Sequence, residues 1–316
     1  MPRVSIIMNI LNGAAYLREA LHSVMAQTFT DWELIVWDDC STDDSARIVS
    51  EYKDPRVRYF LSPEKTPLGR ARDNAIRQAT GEWLAFLDQD DLWTPAKLEK
   101  QLALADERAG IIYGRAVLVW PDGRKRDYDQ AHEFTPLPEG DIFSELFRSA
   151  CFIAMSSAVL RRSAVEHVGG VPEWVEMTPD YCFYVAIARQ YQARAVQEVV
   201  CWYRMHSGNT WQGSRRQVYQ EALEMIDHWA GCLDPRTAAY RRRTNATGLA
   251  LEEMRSAASA GRGIRRLFRE GSLAWLVSRP FVHAFRRIRR KVQHPLWQKN
   301  QPQVPRHQPG RRGHHE

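Results

Sequence analysis

The chain has 316 residues, 44 Lys+Arg against 38 Asp+Glu, 44% hydrophobic residues and 11 each of Trp, Tyr and Phe. That composition excludes a disordered, collagen-like or disulfide-stapled chain, and the length suits two domains or one α/β domain with an appendage. The net charge of +6 is unevenly distributed: residues 236–316 hold 19 Lys+Arg and 4 Asp+Glu, residues 1–235 hold 25 and 34, so two regions with different tasks are expected, divided between Thr210 and Pro235.

No apolar run approaches the ~18 residues of a bilayer span. The short apolar segment from Val4 to Asn9 is too brief for the core of a secretory signal, so a cytoplasmic protein, peripheral on the inner face of the cell membrane if the basic region binds it, is expected. Cys40, Cys151, Cys182, Cys201 and Cys232 are scattered and odd in number, without a C-x-x-C pair. They read as buried thiols rather than disulfides or zinc ligands.

Alternating patterns run through the first half. Arg3 to Asn9 predicts a strand and Ala14 to Gln27 a helix, with Leu17, Leu21, Val24 and Thr28 on one face. Glu33 to Asp38 reads as a buried strand, then a helix over Asp43 to Tyr52 with Ser41 and Asp44 as a capping box. Arg56 to Leu61, Gly69 to Ala79 and Trp83 to Asp88 continue as strand, helix and strand, which implies βαβ units and a mainly parallel sheet. Thr94-Pro95 predicts a helix start, with the helix reaching Glu107. Ile111 to Trp120 predicts a strand turning at Pro121-Asp122-Gly123. Helices over Ile142 to Arg148 and Tyr181 to Gln190 and strands over Ser157 to Leu160 and Ala195 to Tyr203 follow. From Arg215 the pattern is helical, and beyond His294 the Pro, Gln, His, Arg and Gly content predicts disorder.

In an open α/β sheet, ligands bind beyond the carboxyl ends of the strands. Those positions are Asn9, Asp38-Asp39 and Asp88-Gln89-Asp90-Asp91, so five carboxylates are expected on one rim. Two like charges about 4 Å apart repel by ~4 kcal/mol at an effective dielectric near 20. A divalent Mg²⁺ or Mn²⁺ held by hard oxygen ligands relieves that repulsion. For Asp43, Asp44 and Asp91 a helix-capping role stands equally open.

WDDCSTDDS (Trp37 to Ser45) and TGEWLAFLDQDDLW (Thr80 to Trp93) resemble two signatures of the family 2 glycosyltransferases. Their order, the opening VSIIMNILNGAAYLREALHSVMAQT and the intervening ARDNAI make the resemblance specific over residues 3 to 120, and it continues in patches to about 211. It implies an inverting enzyme of the GT-A fold: α/β, with a mainly parallel (mixed) central sheet flanked by helices, over a catalytic domain of 1–211. The charge and helical pattern beyond it predict a helical basic C-terminal region, 212–294, and a disordered basic tail, 295–316.

By that resemblance Asp88-Gln89-Asp90 is the D-x-D element, Asp90 ligating the metal and Asp88 meeting the donor ribose or the metal shell. Asp39 is the nucleobase contact, Asn9 and Ile10 line the base pocket, and Arg72 falls at the Arg of an Arg-Asn pair that here reads Arg72-Asp73. Asp180 matches the Asp of a Glu-Asp pair that supplies the general base, with Pro179 in place of the Glu; N-capping by Asp180 stays open. WYRMHSGNTW (Trp202 to Trp211) resembles a Tyr-Arg-x-His-x-x-Asn segment. Arg204 would there stabilise the leaving nucleotide, and His206 would complete the metal or phosphate shell or serve simply as a hydrogen-bonding residue.

From Ile264 to Val292 a helical reading puts Phe281, Phe285, Ile288 and Val292 on one stripe bordered by Arg286, Arg287, Arg289, Arg290 and Lys291, with Phe268 and Trp275 as further interfacial residues. Such a helix lies on an anionic membrane surface or docks on the catalytic domain. The resemblance implies transfer of a sugar from a nucleotide-diphosphate sugar to a saccharide or lipid-linked acceptor, by analogy in surface glycan assembly, and no nucleic-acid partner is expected. A nucleotidyltransferase acting on sugar phosphates and a non-enzymatic basic surface or nucleic-acid binder are the alternatives. The first is disfavoured because Asn9 to Gly13 has one Gly and no basic residue.

Overall fold

A computed structural model of the chain describes residues 1–128, 134–149, 151–170, 175–209, 215–255 and 265–266. The chain divides into a compact unit of Met1–Leu273 and a second unit of Ala274–Glu316, which lies outside the described residues. The expected basic stripe at 281–292 and the expected disorder beyond 294 therefore also fall outside them.

The first half builds β1 (Val4–Ile10), α1 (Leu17–Met25), β2 (Trp32–Asp38), α2 (Ser45–Ser50), β3 (Val57–Leu61), α3 (Leu68–Ile76) and β4 (Trp83–Phe86). There follow β5 (Leu92–Trp93), α4 (Lys97–Leu102), β6 (Ala109–Val119), β7 (Lys125–Asp127), α5 (Phe143–Ser149), β8 (Ala158–Arg161) and α6 (Arg162–Val168). The last elements are α7 (Pro179–Ala188), β9 (Gln192–Arg204), α8 (Arg215–His228) and α9 (Pro235–Met254).

Among the described residues one sheet runs β3-β2-β1-β4-β8-β6-β9-β5, with β7 paired to β6. β3, β2, β1 and β4 pair in parallel, as do β6 and β9; β8 is antiparallel to both β4 and β6. Burial on both faces explains why β1 and β2 read as mostly apolar rather than alternating. Successive side chains divide between two cores. Ile7, Ile35, Leu84 and Phe86 pack with residues of α3, α5 and α7, whereas Ile6, Met8, Leu34, Val36 and Ala85 pack with α1, α2 and α4.

Ile10 lies opposite Asp38 and Ile7 opposite Phe86. The carboxyl ends of β2, β1 and β4 thus sit side by side, and the loops that follow them share one edge. Late in the chain α8 packs on α9 through Leu223, Ala246 and Leu249. Gly248 makes that approach possible, because a Cβ there would overlap the Tyr219 ring.

Some local expectations change. The Ser41/Asp44 capping box does not form: Asn12 N–H donates to Ser41 Oγ at 3.0 Å, and Asp44 pairs with Arg47 at 2.7 Å. Thr94-Pro95 does not open the helix, because Thr94 N–H bonds Val200 O and Pro95 O accepts from Thr28 N–H; the helix spans only Lys97–Leu102. β5, β7 and α6 were not anticipated. All five thiols are free, but only Cys182 and Cys201 are buried and Cys232 is exposed, so the buried-thiol reading holds for two.

Candidate active site

The loop after β4 is tied down from several directions. Asp88 N–H donates to Ser156 Oγ at 3.1 Å, Ser156 Oγ donates to Asp91 Oδ2 at 2.6 Å, and Arg204 N–H donates to Asp91 Oδ1 at 2.9 Å. Asp91 is 1% exposed. Burial, then the charges of Asp90 and Asp88, push its carboxyl well above the usual range. It braces the loop, and neither caps a helix nor faces solvent.

Gln89 is engaged with the loop after β1. Leu11 N–H donates to Gln89 Oε1 at 2.9 Å, and Gln89 Nε2 donates back to Leu11 O at 3.1 Å. Gly13 accommodates this amide, since a Cβ at that position would collide with it. Both ends of the Gln89 amide are thus paired, and the side chain ties the two loops together.

Asp90 meets His206: Nε2 and Oδ2 are 2.7 Å apart. The His206 ring lies 4.8 Å from that of Tyr16, and its backbone N–H donates to Asn209 Oδ1 at 2.7 Å. Burial and Asp88 raise the Asp90 carboxyl, with His206 opposing. Arg204 holds the same loop: Nε donates to Asp90 O at 2.9 Å, Nη2 donates to Glu19 Oε2 at 2.8 Å, and the guanidinium lies 4.7 Å from the Tyr16 ring centroid.

The expected metal set of Asp88, Asp90 and His206 does not assemble as three ligands. Among the described residues no three His, Cys, Asp or Glu side chains are grouped to hold an ion. The reason is visible at Asp88, whose carboxylate turns to Arg72, with Nη2 donating to Oδ1 at 3.1 Å.

Arg72 is 4% exposed and faces both Asp88 and Asp180. Burial weakens its hold on the proton, but the two carboxylates outweigh burial and the net shift is upward. Arg72 thus forms an ion pair with Asp88 at the rim. Asp180 follows Pro179 in the first turn of α7 and accepts from Tyr181 N–H at 2.9 Å. The cap position belongs to Thr178, so the N-cap reading of Asp180 is set aside. Burial raises the Asp180 carboxyl, and Arg72 opposes it.

On the neighbouring strand ends, Ile10 is buried and its carbonyl accepts from Asp39 N–H at 2.9 Å. Asp39 accepts from Thr66 N–H and, at 3.0 Å, from Thr66 Oγ1. Asn9 Nδ2 is buried without a hydrogen-bond partner among the described residues. Asp38 leaves the expected acidic set: it accepts from Ser41 N–H at 2.7 Å and Tyr59 Oη at 2.7 Å, closing a turn in which Cys40 takes a left-handed φ of 69°. Sequence reasoning missed Ser156, Glu19 and Tyr16, whose roles arise only from long-range contacts and leave no local pattern.

The Glycosyl transferase family 2 profile matches residues 5–169. The chain is 28% identical to the putative teichuronic acid biosynthesis glycosyltransferase TuaG of Bacillus subtilis, over 70% of this chain and 88% of TuaG. It is also 28% identical to WfaP of Escherichia coli, described as a UDP-Glc:alpha-D-GlcNAc-diphosphoundecaprenol beta-1,3-glucosyltransferase, over 66% of this chain and 80% of WfaP. Other relatives are longer: the chain spans 66% of a glycosyltransferase from Nostoc and 33% of one from Rickettsia felis. The solved mannosyltransferase PcManGT of Pyrobaculum calidifontis, in complex with GDP-Man and Mn²⁺, superposes with a TM-score of 0.58 at 22% identity, over 95% of this chain and 88% of that one. With the profile matching more than half of its length, and with a mixed α/β sheet of the GT-A kind, the chain belongs to glycosyl transferase family 2.

Proposed function

We propose that this protein moves a sugar from a nucleoside-diphosphate sugar to the hydroxyl of a saccharide or lipid-linked saccharide, with inversion at the anomeric carbon. The observation that carries the reading is Arg72 lying between Asp88, next to the Asp90–His206 pair, and Asp180 at the start of α7. A single carboxylate suffices for a direct displacement. The acceptor oxygen forms its bond to the anomeric carbon as the carbon–oxygen bond to the diphosphate breaks; the hydroxyl proton passes to Asp180, and the nucleoside diphosphate departs with the bonding electrons. A carboxyl raised above the usual range by burial is a stronger base, and Arg72 keeps its ionised form accessible.

The residues fit a divalent cation. Asp90 and His206 offer two donors at one point, and Mg²⁺ or Mn²⁺ commonly combines one or two protein ligands with substrate phosphates. Bound there, the ion would neutralise charge on the departing diphosphate. Asp88 belongs to the ribose or outer shell in this reading. Asn9, Ile10 and Asp39 form the base side, where the unpartnered Asn9 amide is a donor suited to a nucleobase. Arg204 acts on the leaving group through its hold on the Asp90 loop.

A family 2 glycosyltransferase excludes neither membrane contact nor a soluble acceptor. No helix among the described residues is long and apolar enough to cross a membrane. The cytoplasmic placement, the 1–211 catalytic domain and the anionic-membrane role of 264–292 rest on sequence alone; for the last, truncation near Arg262 should reduce sedimentation with anionic vesicles, and unchanged sedimentation would remove it. Donor chemistry is tested by thermal shift with UDP-glucose, UDP-N-acetylglucosamine and GDP-mannose, each with and without Mn²⁺. A metal-dependent rise with one nucleotide class supports the reading, and no response to any of them contradicts it.

A further inference from the structure

Glu221 on α8 gathers the backbone just ahead of Asp180. It is 3% exposed. Its Oε1 accepts from Glu176 N–H at 3.0 Å and Met177 N–H at 2.9 Å; its Oε2 accepts from Met177 N–H at 3.1 Å, Thr178 N–H at 3.0 Å and Thr178 Oγ1 at 2.9 Å. Three consecutive amides thus converge on one carboxylate. They precede Pro179, which has no N–H of its own, and amides at a helix entrance have no intrahelical acceptor. On the other side of Asp180, Arg241 of α9 faces the Tyr181 phenol, which itself donates to Leu146 O at 3.0 Å. Asp180 therefore follows directly on the segment that Glu221 of α8 anchors, and α7, α8 and α9 all fall beyond the family-matched segment 5–169.

We infer that Glu221 is a positioning residue, which fixes residues 176–178 so that Asp180 is presented to the acceptor hydroxyl. The inference rests on Asp180 being the base. Both oxygens of Glu221 act only as acceptors; an amide in its place turns one of them into a donor facing backbone N–H groups, so the anchor fails while the side-chain volume is kept. The donor side of the site, at Asp90 and His206, makes no bond to Glu221 and should be unaffected.

The test uses the full chain and Glu221→Gln. Hydrogen exchange followed by mass spectrometry should show the amides of 176–178 exchanging about tenfold faster or more, while peptides from β1 to β4 remain as in the unsubstituted protein. With the donor among UDP-glucose, UDP-N-acetylglucosamine and GDP-mannose that is turned over with Mn²⁺, kcat for nucleoside-diphosphate release should fall about 10- to 100-fold with the donor KM unchanged. In an Asp180→Asn background the same substitution should have no further effect on kcat, because the two residues act as one unit. Thr178→Val, which removes only the hydroxyl bond, should move exchange and kcat the same way by a smaller factor, and serves if Glu221→Gln folds poorly. Unchanged exchange at 176–178 would overturn the inference, as would an undiminished kcat or an equal loss in the Asp180→Asn background. Failure of the underlying reading is separately visible, because Asp180→Asn alone would then retain full turnover.

Discussion

Arg72 and Lys97 are buried cations on either side of the acidic loop in sequence, and they sit in opposite surroundings. At the rim, Arg72 faces Asp88 and Asp180, and its hold on the proton is strengthened. At the start of α4, Lys97 points into the interior: it is 0% exposed, its Nζ has no hydrogen-bond partner among the described residues, and it lies 4.1 Å over the Trp93 ring. Burial pulls its ammonium from 10.5 down to about 7, with the Cys201 thiol opposing. The rim is therefore organised to keep charge and the interior to shed it. Arg, which does not deprotonate, stands where charge is retained, and Lys, which readily does, where it is lost.

The comparison is sharpened most strongly at the rim. Asp90→Ala, which leaves His206 without its carboxylate, should reduce metal-dependent nucleoside-diphosphate release by about 10²-fold or more. Turnover that keeps its Mn²⁺ dependence would remove Asp90 from the cation site.

In the interior, Lys97→Met should stabilise the fold by about 2–4 kcal/mol at pH 7, since it removes a buried amine whose charged form is disfavoured. The sign follows from linkage. The folded value is depressed, so the penalty is complete below about 7, shrinks as pH rises from about 7 toward 10.5, and vanishes above that. Urea denaturation of the parent should show stability rising across that window, and the Met variant should lose this slope. A destabilised variant would mean that Lys97 has a role its surroundings do not reveal.

Arg72→Met returns to the rim with a smaller expected effect. Without the cation, the Asp180 carboxyl rises further, the acid limb of the kcat/KM profile moves to higher pH, and turnover near neutrality falls by about tenfold. A stationary limb would separate Arg72 from the base.

Glu33, on β2 far from these loops, is the control. Burial pushes its carboxyl up, but hydrogen bonds from Thr80, Ser5 and Arg58 outweigh burial and the net shift is down. Its contribution is present above 4.5 and is lost as pH falls through the lower folded value. Glu33→Gln should cost about 1 kcal/mol at pH 7 and flatten the acid side of the stability curve, with kcat unchanged.

Legibility in the sequence followed the range of the forces involved. The parallel strands β1, β2 and β4 announce themselves because both faces are buried and helices separate them, so Asp88 and Asp90 could be located beyond a strand end, while Pro179 marked the helix start that holds Asp180. What one residue does with its side chain was harder to read. Asp38 and Asp39 look alike in the chain, yet Asp38 closes a local turn through Ser41 while Asp39 holds Thr66, 27 residues away. Gln89 sits between two acidic residues, Asp88 and Asp90, and pairs with the backbone of Leu11, 78 residues earlier. Glu221 has an ordinary place on an amphipathic helix, and its partners lie 43 to 45 residues back. The overlong helix predicted from Thr94 has the same origin, because the local start signal lost to bonds with Thr28 and Val200.

The base assignment is tested most directly by Asp180→Asn, measuring donor binding and turnover on the same preparation. The account predicts unchanged affinity for the nucleoside-diphosphate sugar and a loss of turnover of about 10²-fold or more. Undiminished turnover at unchanged affinity would contradict it.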